Sequence, residues 1–451
     1  MSLPRYPEYK HSGAQWLGQI PSSWSRSALR HVVSRWYSGG TPDTEVPEFW
    51  TDPQEGTAWV SIGDITRDDE IGYTDRAISA KGLAAKALDV MPRGTLLISM
   101  YASIGKVATL RVPAACNQAI LGMEFDQRIS TCFASYWLRH VAGRLTQFSN
   151  SNTQENLNAA KVRAIPIFVP SVSEQRAITA FLDRETAKID ALIAEQERLV
   201  ALLDEKRQAV ITQAVTKGLD PTVPMKDSGV EWIGEIPSHW SVARLGRLIG
   251  HLESGTSVDA VDTPAQDGEA AVLKTSCVYT GEFDPSQNKV VGQSELPRLT
   301  CPLRAGTLVV SRMNTPALVG AAGLVREAVE LLYLPDRLWQ VELEGVNPAF
   351  VHDWTRTSLY RAQIEIACEG TSSSMKNIDQ ASFRALAIAI PPRDEQDEIV
   401  KALEDSGQRS SEIATVARTA AALLRERRAA LITAAVTGQI DVRSLVEAEA
   451  A

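Results

Sequence analysis

Apolar positions along this chain fall into two patterns, one of period three to four and one of alternation. Residues 172–217 hold no proline or glycine and are rich in Ala, Leu, Glu, Gln and Arg, all good helix formers. Within them Ile178, Leu182, Ile189, Leu192, Leu199, Leu203 and Val210 recur at the spacing of a coiled-coil seam. Ser173, followed by Glu174 and Gln175, suits the start of such a helix, and Gly218 and Pro221 suit its end. About 45 helical residues span roughly 65–70 Å, too long for the interior of one compact domain. Residues 394–437 repeat the pattern with Ile399, Leu403, Ile413, Ala417, Ala420, Leu424 and Leu431. This second seam is richer in alanine and serine, which permits close approach, and Gly407 is expected to weaken it. Each helix supplies the partner the other needs, in an antiparallel pair.

Between the helices the pattern changes to short runs bounded by turn residues. GTAWVSIGDI (56–65), RGTLLISM (93–100), KVATLRV (106–112) and CNQAILGMEF (116–125) read as strands, and RAGTLVVSRMNTPALVGAAGLV (304–325) occupies a comparable place later. SGGTPDT (38–44) reads as a glycine- and proline-rich loop. The fold class is therefore α+β: two strand-rich mixed α/β domains joined by two long antiparallel coiled-coil helices with pseudo-two-fold symmetry. The expected boundaries are 1–170, a helix over 171–220, 221–390, a helix over 391–441, and a flexible tail at 442–451.

The chain is written twice. KHSGAQWLGQIPSSWSRSAL (10–29) and KDSGVEWIGEIPSHWSVARL (226–245) agree at 11 of 20 positions without a gap. LLDEKRQAVITQAVTKGLD (202–220) and LLRERRAALITAAVTGQID (423–441) agree at 11 of 19, and PSVSEQRAI (170–178) answers PPRDEQDEI (391–399). The middles, 35–150 and 251–370, have no such likeness beyond RGTLLIS against RAGTLVVS. Uniform drift after a duplication would blur ends and middles alike. A kept frame around unlike inserts implies one job done twice in two versions.

At 451 residues, two domains or more are expected. No apolar run approaches the length of a membrane helix, and the polar MSLPRYPEYK start lacks the apolar core of a secretory signal, so a cytoplasmic protein is expected. Five scattered cysteines with no C-x-x-C argue against disulfides and zinc and for small buried side chains. The net charge is −9. Residues 1–170 carry 17 Lys and Arg against 15 Asp and Glu, whereas residues 226–390 carry 14 against 20. Neither half is a basic patch, so a nucleic-acid binder of this composition needs partners to neutralise phosphates.

Catalytic motifs are missing. The sequence has no Walker A loop (SIGK at 103–106 lacks the upstream glycine), no G-x-G-x-x-G and no H-E-x-x-H. Pro391–Pro392 runs into Arg393 and Asp394 rather than into an aromatic residue, so there is no [DNS]-P-P-[YFW]. No catalytic or metal-ligating residue is assigned, although scattered Asp and Glu leave room for a nuclease site assembled in space. The polar side chains fitted to base edges and phosphates are Thr41, Lys106, Asn117 and Gln118, then Asn152, Thr153 and Gln154 in SNSNTQENLN (149–158). The second half offers Lys274, then Arg312, Asn314 and Thr315 in SRMNT, and Ser372, Ser373, Ser374 and Lys376 in EGTSSSMKNID (369–379). Arginine pairs bidentately with guanine and asparagine with adenine. The same stretches also read as polar turns and helix caps.

The paired opening motif, the SGGTP loop, the NLN and NID segments leading to P-x-x-x-E-Q, and the LLxEKRxAxITxAVTxG helix ends together resemble the specificity subunits of type I restriction–modification systems, over residues 10–441. The resemblance implies two target recognition domains, each reading one half of a bipartite, asymmetric double-stranded DNA target, with the helices as a ruler between them. It implies two DNA methyltransferase (modification) subunits and two motor-nuclease (restriction) subunits as partners, which carry out adenine methylation and ATP-dependent restriction. S-adenosylmethionine, ATP and magnesium would belong to those partners, and this chain would hold no cofactor. Two readings from other classes stand beside it: a non-catalytic scaffold joining two proteins, and a self-sufficient DNA nuclease.

Overall fold

The computed structural model describes residues 4–14, 16–143, 157–368 and 374–444. They form two compact units, one drawn from Met1–Gln196 with Thr419–Ala451 and the other from Glu197–Arg418. Two helices, Val172–Lys217 and Arg393–Val436, each contribute a part to both units. The second runs unbroken through Gly407.

The residues written twice are those that build the frame of each unit. In the first unit Trp24, fully buried, donates its indole N–H to Glu174 Oε1 at 2.9 Å. In the second, Trp240 donates to Glu395 at 3.1 Å. The neighbouring glutamines are buried staples. Gln175 accepts from the Ser130 N–H (2.8 Å) and donates to the Arg128 and Pro170 carbonyls. Gln396 accepts from the Asn347 N–H (2.7 Å) and donates to the Pro391 carbonyl. Each E-Q pair thereby fixes the start of a long helix to the tryptophan of its unit. The start of the first helix is capped by Ser171 Oγ, which accepts from the Glu174 N–H at 3.3 Å, and not by Ser173, which lies inside the helix.

Within each unit the two helix segments run antiparallel. In the first, Gly438 lies by Trp24, at the Glu174 end, while Arg428 pairs with Asp190 at 2.8 Å. In the second, Gly218 lies by Glu395 and Gly407 faces Arg207. The first unit's core joins Phe133, Trp137 and Phe168 to Ile178, Leu182, Ile432 and Val436. The second joins Phe350 and Phe383 to Ile211, Val215, Ile399 and Leu403.

The middles share one sheet plan. In the first unit Val33–Ser38, Ile120–Phe125, Leu96–Ser99 and Val107–Leu110 lie side by side in that order, with Glu70–Ile71 at the edge. In the second the order is Ile249–Ser254, Leu338–Leu343, Leu308–Ser311, Ala322–Leu324. A second sheet, of four strands, accompanies each. The expected strand at 56–65 stops at Val60. SIGDI instead opens the helix Ile62–Arg67 through a capping box, in which Ser61 and Asp64 satisfy each other's backbone N–H groups. Cys116, Cys277 and Cys301 are buried as expected, but Cys132 is exposed and Cys368 half-buried. No described helix is long and apolar enough to cross a membrane.

Candidate nucleic-acid interface

In the first unit the backbone of residues 39–41 lies against the turn at 116–118. A Cβ on Gly39 would sit 1.8 Å from the Asn117 carbonyl oxygen, so glycine is required there, and the Gly40 N–H donates to the Cys116 carbonyl at 2.8 Å. This approach brings three of the expected residues together. Thr41 Oγ1 donates to Gln118 Oε1, and Asn117 Oδ1 accepts from the Ala119 N–H at 3.0 Å. The same loop borders an open cleft of about 480 Å³ at Thr44, Trp50, Thr51 and Arg76. Trp59 ties cleft to loop, since its indole donates to the Gly40 carbonyl (3.1 Å) and its ring meets Trp50 edge-on at 5.0 Å. Arg76 stacks over Trp50 with its guanidinium 5.5 Å from the ring centre, a pairing that leaves a cation and an aromatic face beside the cleft. Lys106 lies apart from this group, 3.6 Å from Asp69, which Arg139 holds at 2.7 Å.

The second unit repeats the close approach. A Cβ on Gly255 would sit 1.6 Å from the Leu334 carbonyl oxygen. A cleft of about 530 Å³ opens beside it, lined among others by Lys274, Lys289, Arg337, Asp262 and Tyr279. Asp262 lies 2.5 Å from the Lys274 ammonium and 3.9 Å from that of Lys289. The Lys274 hydrogen bond and charge hold its carboxyl below the usual carboxylate range. One carboxylate thus serves two ammonium groups, and a phosphate in the cleft would compete with it for both.

A short strand pair, Met313↔Asn377 and Asn314↔Lys376, gathers Arg312, Asn314, Thr315 and Lys376, with Ser374 just before it. The Arg312 N–H donates to the Arg337 carbonyl at the cleft edge (3.0 Å), and its guanidinium lies 6.0 Å from the Trp339 ring centre. Asn314 is only 7% exposed, and its amide is fully engaged. Nδ2 donates to Tyr279 OH (2.9 Å) and Ser311 Oγ (3.2 Å), and Oδ1 accepts from the Thr315 N–H (2.8 Å). The Thr315 carbonyl closes a turn with the Leu318 and Val319 N–H groups. Asn152, Thr153, Gln154, Ser372 and Ser373 lie outside the described residues.

Side-chain chemistry alone passed over Tyr279, Lys289, Arg337, Trp50 and Arg76. The equivalence that points to Tyr279 is carried by the strands and was hidden by the unlike sequences of the middles. Tyr279 is the sixth residue after the strand Ala271–Leu273, as Thr66 is the sixth after Thr57–Val60.

Comparison with known proteins follows the same lines. Residues 21–200 match the family described as "Type I restriction modification DNA specificity domain". The chain is 25% identical over 345 residues to the type I restriction enzyme EcoKI specificity subunit of Escherichia coli strain K12, covering 73% of this chain and 71% of that protein. It is 24% identical over 210 residues to the Escherichia coli EcoEI specificity subunit, where the match takes in 46% of this chain but only about a third (35%) of the relative. The backbone superposes with a TM-score of 0.69 at 14% identity on a chain solved in work on complex assembly and conformational transition of the type I restriction–modification system, covering 93% of this chain and 99% of that one. That likeness extends the shared fold over both strand-rich units and both long helices, while residues 21–200 resemble the specificity domain and the curated relatives are type I specificity subunits.

Proposed function

We propose that this chain is the DNA-reading subunit of a type I restriction–modification complex, with each strand-rich unit reading one half of a two-part target. The observation that carries this reading is a shared backbone with unshared side chains. The Met100 N–H donates to the Ala119 carbonyl as that of Arg312 does to Arg337; Gly105 bonds Ser99 as Gly320 bonds Ser311; Leu157 bonds Met100 as Ile378 bonds Arg312. On that common frame Met100 stands where the second unit has Arg312, and Ser61 where it has Lys274. Two readers of different base pairs need this combination of constant geometry and variable edge chemistry.

The reaction chemistry belongs, in this proposal, to partner subunits: methyl transfer to adenine from S-adenosylmethionine, and ATP-dependent restriction with magnesium. The target adenines must leave the stack to be methylated, which needs a pocket in the modification subunit. Exposed apolar residues on the long helices support partner docking. They are Leu192 (50% exposed) and Leu423 in the first unit, and Leu199, Leu202, Ile413 and Val416 (69%) in the second. The absence of a large basic excess in either unit agrees with phosphate neutralisation shared with partners. Two modification and two restriction subunits are the proposed complement, in the cytoplasm.

The test is to co-express the chain with its modification subunit and map methylated adenines across a genome. A single motif of two short specified blocks separated by an unspecified spacer is expected. Methylation without such a motif, or DNA cleavage by this chain alone with magnesium, would contradict the proposal.

A further inference from the structure

We infer that Tyr279 is a specificity-determining residue of the second unit, held in its reading position by Asn314 and Thr275. The inference rests on the DNA-reading function proposed above and assigns a side chain within it.

Both units carry a fully buried serine at the end of the same strand, Ser99 and Ser311. The first unit uses it locally, since Ser99 Oγ bonds the Ser103 carbonyl and accepts from the Lys106 N–H at 3.1 Å. There Thr66 turns back to its own helix, donating to the Ile62 carbonyl at 2.6 Å. In the second unit the buried serine is the root of a chain that leads outward. Ser311 Oγ accepts from Asn314 Nδ2, Asn314 Nδ2 donates to Tyr279 OH, and Tyr279 OH shares a proton with Thr275 Oγ1 at 2.8 Å. Tyr279 occupies the position of Thr66 and is 38% exposed at the cleft that holds Lys274 and Arg337.

Three consequences follow from valence. Asn314 has spent both sides of its amide and is buried, so it positions rather than reads; freeing it for a base would leave buried polar groups unpaired. A phenolic hydroxyl has one donor and two acceptor sites. Asn314 takes one acceptor and Thr275 takes the donor or the second acceptor, so one hydrogen-bonding site remains toward the cleft whichever way the Thr275 proton lies. The ring is anchored at its far end, so a base contact costs little rotamer entropy, the property that makes tyrosine effective at recognition surfaces. The ligand is the edge of one base pair in the half-site read by this unit, with Lys274 and Arg337 placed for adjoining phosphates or bases.

The complex of the full chain with its modification subunits, in wild-type, Tyr279→Phe, Tyr279→Ala and Asn314→Ala forms, is tested on a library of DNA sites read out by sequencing methylated adenines. Tyr279→Phe and Asn314→Ala are expected to cut discrimination at the same single base pair about tenfold or more, with the other half-site unchanged, and Tyr279→Ala to relax that pair further. A merely structural role would lower methylation evenly over all sites. An unchanged motif in the tyrosine variants, or relaxation in both blocks together, overturns the inference alone. A wild-type complex with no two-part motif overturns the proposed function and this inference with it.

Discussion

Asp353 shows how one buried group sets a pH dependence. Its carboxyl, 3.6 Å from Arg356, is pushed up to about 6 by burial. A raised carboxylate pKa means that the folded state holds the proton longer than the unfolded chain does. Stability from this group is therefore intact below the unfolded value near 4 and is lost as the pH rises to about 6. His352 next to it acts in the opposite sense, because burial lowers its pKa and its contribution is lost as the pH falls below the usual histidine range. Asp353→Asn isolates the first effect. The variant is expected to gain on the order of 2–3 kcal/mol over wild type at pH 7.5 and almost nothing at pH 4, in denaturant unfolding at both pH values. An equal difference at both pH values would contradict it. At this scale the sequence was only partly legible. Amide and hydroxyl side chains advertise hydrogen-bonding capacity, but whether that capacity is already spent depends on residues far along the chain. Asn314 is engaged by Tyr279 and Ser311, whereas Thr41 and Gln118 meet because Gly39 lets two loops touch.

The long helices were legible in length, but their seam was not fully so. From buried Ile189 the partly buried line of the first helix runs through Ile193, Gln196, Val200, Leu203 and Arg207, whereas Leu192 and Leu199, counted in the expected seam, are exposed. Ile413 is likewise exposed, and in the middle of the second helix Ala414, Ala417 and Ala421 are the buried positions. The physical reason is that a helix with two apolar faces offers more apolar positions than one seam can hold, so apolarity alone merges them. Leu199→Lys with Leu202→Lys is expected to change stability by less than about 1 kcal/mol, yet to abolish co-purification with the modification subunit. Retained co-purification would remove the support these residues give to partner docking. The helix ends make a paired prediction. Gly438 and Gly218 follow the helices with φ of +70° and +77°, the left-handed conformation that favours glycine. A Cβ on Gly438 would lie 2.4 Å from Pro21, while one on Gly218 meets nothing closer than 3.2 Å. Gly218→Ala should cost about 1–2 kcal/mol from backbone strain, and Gly438→Ala distinctly more. Thermal unfolding of the two variants checks the order, and a larger loss for Gly218→Ala would contradict it.

For the whole molecule, the repeat was the most informative feature of the sequence, because its identical residues proved to be frame residues. Trp24 with Glu174, and Trp240 with Glu395, make the same contact in each unit. The likeness of the two middles was almost invisible, since sheet strands tolerate exchange among apolar residues as long as alternation and register survive. The order of the four strands they share is nevertheless the same, with Glu70–Ile71 added at the edge in the first. Charge gave the one awkward signal, a net −9 in a proposed DNA reader, which leaves recognition dependent on loops and partners instead of on a basic face. The most direct test of two independent readers on one frame is to replace residues 35–150 with the corresponding segment of a relative of different specificity and to map the adenines methylated by the resulting complex. One block of the motif should change to that of the donor while the other block stays as it was. A change in both blocks, or in neither with methylation intact, would contradict the account.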